Sequence, residues 1–476
     1  MEEKQHSIKE NYIYSLLFQI LTIIVPLITT PYLSRVLEAD GVGIFSLTIT
    51  NVSYFTLIGV LGLGTYGQLE IAKVKDDIEK RSKLFFEIML TRGCMHVICI
   101  IAYIVFILVS EKYKTMYMLQ GILIIASMLD LTWYFQGLEE FKRIAIRNII
   151  IKIFSVALIF LLVKQKSDLY VYTAILSVST LLCNICFYPT IGKYVKHIDF
   201  RTLAIRKHIK GSLVFFLPTI ASVIMTSLDK TMIGAITRSE AENGYYAQAY
   251  KIETLCMSLF SSLNLVMRSR MAYMFHNSQK NETAEMLGKS LRFVSLLAFP
   301  IAFGTIAITH NFVPWFFGDG YDKVTVLLPI FAIWLIFKSH SNCILEQYLT
   351  SSGRQNIATG IIWAAAILNI ILNAVLIRLY QSVGAAVASM CAELLVLILA
   401  LIAGRKVITL RTIITNMWKY LISAGIMCVA TIFVGRLFLP GILSTFIQIG
   451  VGGALYCVLL FLLKDSYLIQ IIRKKF

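Results

Sequence analysis

Long apolar runs recur from one end of the chain to the other, separated by short polar connections. A helix needs about 20 apolar residues to cross the hydrocarbon core of a bilayer. Backbone groups in lipid must also be satisfied internally, which leaves helices and closed barrels. Fourteen runs have helical crossing length: 12–33, 43–66, 84–109, 116–137, 145–163, 170–192, 211–236, 246–267, 288–310, 324–349, 356–378, 383–403, 418–438 and 442–463. The pattern predicts an all-α polytopic membrane protein. The first run continues past signal-peptide length with no small-residue cleavage site after it, and is expected to remain as a span.

Composition agrees. Hydrophobic residues make up 58% of the 476 positions and charged residues 15%, against about 45–50% and about 25% in soluble domains. The net charge of +17 would suggest nucleic acid in a soluble protein. Here the Lys and Arg residues alternate from side to side of the predicted spans, 29 on one side and nine on the other. That asymmetry places the richer side, with both termini, in the cytoplasm. The excess charge then suits anionic membrane lipids rather than nucleic acid.

Domain organisation follows from the spacing of the runs. Residues 1–192 form an N-terminal lobe of six spans, and 211–404 a second lobe of six. Between them, 193–210 is basic and amphipathic, as expected of a helix on the cytoplasmic interface. Residues 405–476 add two spans and a basic cytoplasmic tail. The lobes echo one another: Glu38-Ala39-Asp40-Gly41 follows the first span, and Glu240-Ala241-Glu242-Asn243-Gly244 follows the seventh. Transporters are often built from such repeats.

Ionisable residues stranded in apolar runs are the candidate chemistry, because charge at membrane depth is costly and marks pathways or buried pairs. Arg92, Asp130 and Lys152 fall at one depth in the inner third. Asp229, Lys230, Lys251 and Glu253 fall in the outer third, and Lys338 and Glu393 near the midplane. Arg292 lies in another run, and Arg35 at the end of the first. Two readings stand. The cations line a path for an anionic substrate, or pairs such as Arg92–Asp130 and Lys230–Glu253 hold helices in register. The buried acids also suit coupling to a proton or sodium gradient. His96 and His340 are expected to be satisfied core residues. Pro26, Pro31, Pro218 and Pro329 are candidate hinges, each freeing a backbone carbonyl, or else static kinks. Cys183 and Cys186 form C-x-x-C inside an apolar run with no second pair at zinc-like spacing, so no metal site is expected. No P-loop, nucleotide fingerprint or catalytic signature occurs, so neither an enzyme nor a resident cofactor is expected.

Several segments together resemble the Wzx-type flippases of bacterial polysaccharide assembly. They are NYIYSLLFQILTIIVPLITTPYLSRVL with Gly41-Val42-Gly43-Ile44-Phe45, WYFQGLEEFKRIAIRNIIIKI (133–153), FFLPTIASVIMTSLDKTMIG (215–234), GYYAQAYKIE (244–253), FFGDGYDKVTVLLPI (316–330) and ILNIILNAVLIRLYQSVGAAVAS (367–389). That family belongs to the multidrug/oligosaccharidyl-lipid/polysaccharide exporter superfamily. The resemblance implies two six-helix lobes around a central cavity, and alternating access in the cytoplasmic membrane. The implied substrate is an oligosaccharide on undecaprenyl pyrophosphate, with a polysaccharide polymerase and assembly proteins as further partners. Spans 13 and 14 would shape a groove for the lipid tail. By motif match, substrate binding falls to Arg35, Asp229, Lys230 and Lys251. A multidrug exporter or a lipid II flippase of the same superfamily remains an alternative. A membrane-embedded polymerase or ligase fits less well, since it would carry a large external loop for its chemistry.

Overall fold

The computed structural model describes residues 8–196, 198, 203–276, 280–405, 407, 410–465 and 467. Among them the regular structure is helical, without strands. Eleven helices are long and apolar enough to cross a membrane. Two of the long helices within them are broken by a residue of left-handed backbone. α1 (Ile8–Val60) breaks at Glu38, where φ is 56°. α13 (Gln355–Gly404) breaks at Gln381, also at φ 56°. A further long helix, α10 (Glu240–His276), falls outside the eleven because polar residues dilute it.

The chain divides into two compact units, Met1–Val223 and Ile224–Phe476, and the division falls inside α9 (Ile205–Thr237). In the first unit α1 packs on α3 (Ile78–Val109), α4 (Lys114–Met128) and α6 (Phe141–Leu162), and α4 packs on α7 (Leu169–Ile185). Asp77 caps α3, accepting from the Glu79 and Lys80 amides at 3.2 and 3.1 Å. The short helices α2 (Leu63–Lys73), α5 (Thr132–Gly137) and α8 (Tyr188–Ile191) are held by aromatic packing. Trp133 stacks on Phe85 and Phe135 on Phe187, with ring centroids 6.1 and 4.2 Å apart. This accounts for the aromatic run Trp133-Tyr134-Phe135, which packs rather than binds.

The start of α9 is docked on this unit by a buried polar chain. Glu87 accepts the Ala204 amide at 2.9 Å and lies 2.8 Å from His208, whose other ring nitrogen is 3.0 Å from the Tyr66 hydroxyl. Residues 205–210 therefore belong to α9, and His208 is fully buried. A separate surface helix over 193–210 does not account for them; residues 197 and 199–202 of that segment lie outside the described residues, as do 468–476 of the basic tail.

In the second unit α11 (Lys280–Phe317) packs on α12 (Val324–Ile344) and α14 (Leu410–Arg436), α12 on α13, and α14 on α15 (Ile442–Leu462). The last two helices are pinned to α11 by polar contacts. Asn311 donates to the Gly435 carbonyl and to Gln448 at 3.0 and 3.1 Å, and Trp315 donates to Thr445 at 2.8 Å.

The break in α13 is a reversal. Asn369 and Ser389 are 20 positions apart, which in a straight helix is about 30 Å at 1.5 Å per residue, yet their side chains meet at 3.3 Å. Close approach of the two arms needs Gly384, where a Cβ would lie 2.0 Å from the Leu376 carbonyl oxygen. The first break has a counterpart in the second unit, because Arg238 takes φ 54° between α9 and α10 as Glu38 takes 56° within α1. Acids after each break hold a lysine from a distant connection. Lys166 lies 2.7 and 3.1 Å from Glu38 and Asp40, and Lys323 lies 2.5 Å from Glu242. At Pro26, Pro31, Pro218 and Pro329 the chain stays helical, so the breaks are not at the candidate hinges.

Gly384→Ala should lower the melting temperature of the purified protein in detergent, through overpacking worth on the order of 1–3 kcal/mol. Gly360→Ala, where nothing lies within 4 Å of the added carbon, should hold or raise it, by up to about 1 kcal/mol of helix propensity. Equal melting temperatures for the two variants would contradict the tight reversal.

Candidate functional site

The most completely built polar site surrounds Asp229 in α9. Its carboxylate is 1% exposed. Oδ2 accepts from the Tyr246 hydroxyl of α10 at 2.5 Å and from the Ser389 hydroxyl of α13. Oδ1 accepts from the Asn373 amide at 2.5 Å, and the same amide group donates to Asn369 at 3.0 Å. Burying a carboxylate is tolerable only when its oxygens receive hydrogen bonds. These donors come from both arms of α13, so the reversal at Gln381 is what assembles the cage.

Lys230, the next residue, faces a different partner. Its ammonium lies 5.5 Å from the centroid of the Tyr250 ring, within cation–π range. Lys251 is half-buried and within electrostatic range of Lys230. Both charges of span 7 thus meet α10, one through Tyr246 and one through Tyr250. Lys230 does not pair with Glu253. The charges acting on Glu253 are Lys338 and Glu393, and neither of its buried oxygens has a hydrogen-bond donor among the described residues. Lys338 bridges Glu393 at 3.1 Å, and Ser341 donates to the other oxygen of Glu393 at 2.5 Å. Lys338 and Glu393 therefore form an ion pair between α12 and α13. Arg292 lies elsewhere, within range of Tyr420 and Tyr467.

In the first unit Arg92 and Asp130 do pair. The guanidinium is 2% exposed and reaches the Asp130 carboxylate at 3.5 Å and its carbonyl at 3.3 Å. Arg147, not Lys152, is the second cation within range of Asp130. Lys152 is half-buried, and its side chain makes no hydrogen bond or ion pair among the described residues. Arg35 is exposed and donates to the Pro31 carbonyl at 2.8 Å. Both core histidines are satisfied: His96 by the Arg92 carbonyl and Ser127, His340 by the Ile336 carbonyl and Ser295, all at 2.7–2.9 Å. The cysteines described are free thiols.

Sequence reasoning passed over Asn369, Asn373, Tyr246 and Arg147. The asparagines carried a usable signal, since amides four apart in an apolar helix share one face and need partners. Arg147 was masked by its place in a basic connection, six residues into α6.

The fold has counterparts among solved structures. It is similar to "Lipid II flippase MurJ, inward closed conformation", with TM-score 0.75 and 16% identity, covering 96% of this chain and 99% of that one. It is also similar to the MATE multidrug transporter DinF-BH, with TM-score 0.61 and 14% identity, covering 87% of this chain and 98% of that one. Together with eleven membrane-length helices, these likenesses define a multi-pass membrane protein with a transporter fold. The family model described as polysaccharide biosynthesis protein matches residues 8–267, more than half of the chain, and the chain belongs to that family. The protein named "Putative O-antigen transporter" in Escherichia coli (strain K12) is 22% identical over 411 residues, covering 85% of this chain and 99% of that relative. Its namesake in Shigella dysenteriae is 26% identical over 222 residues, 46% of this chain and 56% of that protein.

Asp229→Asn should destabilise the protein by roughly 1–3 kcal/mol, because an amide at this position cannot accept from all three donors. Adding Asn373→Asp should recover part of that loss by exchanging acceptor and donor. Thermal unfolding of the single and double variants checks this, and a strictly additive cycle would argue against the cage. Lys338→Met should cost about 3–5 kcal/mol by stranding Glu393, and Lys338→Met with Glu393→Leu should cost less.

Proposed function

We propose that this protein flips undecaprenyl-pyrophosphate-linked oligosaccharide repeat units from the inner to the outer leaflet of the bacterial cytoplasmic membrane, by alternating access, for capsule, O-antigen or related polysaccharide assembly. The observation that carries the reading is the match to a polysaccharide biosynthesis family in a chain whose membrane helices hold neighbouring lysines, Lys230 and Lys251. A charged headgroup cannot cross hydrocarbon unaided. Cations within the protein lower that barrier, and those held over aromatic rings bind weakly enough to release. The name of the E. coli relative, an O-antigen transporter, points the same way.

Fourteen crossings with both termini cytoplasmic complete the topology. A short segment of the lipid tail has a candidate berth in the second unit: a mostly apolar cavity of about 280 Å³ between α11, α14 and α15, lined by Pro300, Gly304, Met427, Thr431, Gln448 and Gly452. Coupling to a proton or sodium gradient would use the buried acids. Glu253 is the carboxylate suited to exchange a proton, being buried with no donor on either oxygen among the described residues. The hinge role of Pro218 and Pro329 belongs to the same proposal, as does cooperation with a polysaccharide polymerase.

Lys230→Ala or Lys251→Ala should cut polymer export about tenfold or more, the equivalent of one charged contact, with folded protein still at the membrane. Complementation of a flippase-deficient strain reads this out. Full export by both variants would overturn the cationic path, and drug efflux without polymer export would favour the multidrug antiporter. A reporter fused after Lys475 should read cytoplasmic.

A further inference from the structure

Lys230 and Lys338 each rest on an aromatic ring, but they differ in what else they meet. Lys338 lies 5.7 Å from the centroid of Trp334 and also bridges Glu393 at 3.1 Å. Lys230 lies 5.5 Å from the centroid of Tyr250, and no acid bridges it among the described residues. The acid next to it in sequence, Asp229, has both oxygens engaged by Tyr246, Asn373 and Ser389. A carboxylate holds an ammonium by cancelling its charge. The face of an aromatic ring holds it through the ring quadrupole and cancels none of it.

The Tyr250 ring is itself held on several sides. Tyr246, one turn earlier on α10, stacks on it with 11° between the planes and 6.2 Å between centroids. From α12, Phe331 and Trp334 meet it at 5.8 and 6.2 Å, with planes at 63° and 70°. Phe331 also packs on Tyr246 at 5.3 Å. Tyr246, Phe331 and Trp334 are buried, and the Tyr246 hydroxyl is fixed on Asp229 at 2.5 Å. Tyr250 and Lys230 are only half-buried, so both keep accessible surface. The ring therefore has a set place and orientation, while the ammonium above it stays within reach.

A lysine side chain is long and flexible, with a point charge at its tip. Resting that tip on a fixed ring removes part of its freedom beforehand, which lowers the ordering cost of any contact made later. We propose that Tyr250 is a positioning residue for Lys230, holding the ammonium in one place with its charge intact. Tyr246, Phe331 and Trp334 fix the ring for that task. The role rests on the proposed function, in which Lys230 acts on an anionic headgroup.

The test changes the electrostatics of the ring and keeps its shape. In the full chain, residue 250 is replaced by phenylalanine and by its monofluoro, difluoro and trifluoro analogues, introduced by stop-codon suppression. Fluorine drains the negative face of the ring stepwise at nearly constant size. Complementation of a flippase-deficient strain reads export, and thermal unfolding in detergent reads the contact. Tyr250→Phe, the conservative member, should retain export, and the trifluoro analogue should lower it about threefold to tenfold. Melting temperature should fall along the series in the wild-type background and stay level in a Lys230→Met background. If the trifluoro protein does not fold, the two lighter analogues carry the comparison. Equal melting trends in both backgrounds would overturn the contact. Level export along the series, with Lys230→Met defective, would overturn the positioning role and leave the transport reading standing. Full export by Lys230→Met would overturn the part given to Lys230 in transport, and the role of Tyr250 with it.

Discussion

A carboxylate in the interior of an apolar helix bundle must be given donors or it destabilises the fold, and the second unit is arranged around that requirement at Asp229. Its donors come from α10 and from both arms of α13. Tyr246, Asn373 and Ser389 cannot reach one carboxylate unless α13 reverses at Gln381 and its arms approach at Gly384. The register of three long helices is thereby tied to one charge. The small residues Gly384-Ala385-Ala386 serve that approach as they do in other membrane helix contacts.

The acids and bases within the helices are treated differently. Asp229 is caged by neutral donors, Glu393 is held by Lys338 and Ser341, and Asp130 is shared by arginines. Lys230, by contrast, rests on an aromatic ring, and no acid bridges it among the described residues. Glu253 is the exception, an acid buried with no hydrogen-bond donor on either oxygen among the described residues.

Polar anchoring also governs the ends of helices. Glu87, His208 and Tyr66 fix the start of α9 to α2 and α3, while Asn311 and Gln448 tie the last two helices to α11. Each of these groups would be costly if left alone in an apolar setting, and each is satisfied by a residue far away in the chain. Long-range hydrogen bonds therefore do in this fold what hydrophobic burial does in a soluble core, because lipid is as apolar as leucine and gives helices little reason to associate.

The helical class, the membrane-length apolar helices and the stranded charges were legible in the sequence, because a bilayer imposes a length and a polarity that a single chain reveals by itself. The pairs Arg92–Asp130 and Lys338–Glu393 were within reach because opposite charges stranded in apolar runs need partners. The choice of partner at a given depth was not legible. Lys230 meets Tyr250 rather than Glu253, and Arg147 replaces Lys152 beside Asp130. Those outcomes depend on how each helix is rotated about its own axis and where it breaks, at Glu38 and Gln381 rather than at proline. Contacts such as Asp229–Asn373 and Glu242–Ser382, 144 and 140 positions apart, hold the helices in place, and no local pattern encodes them.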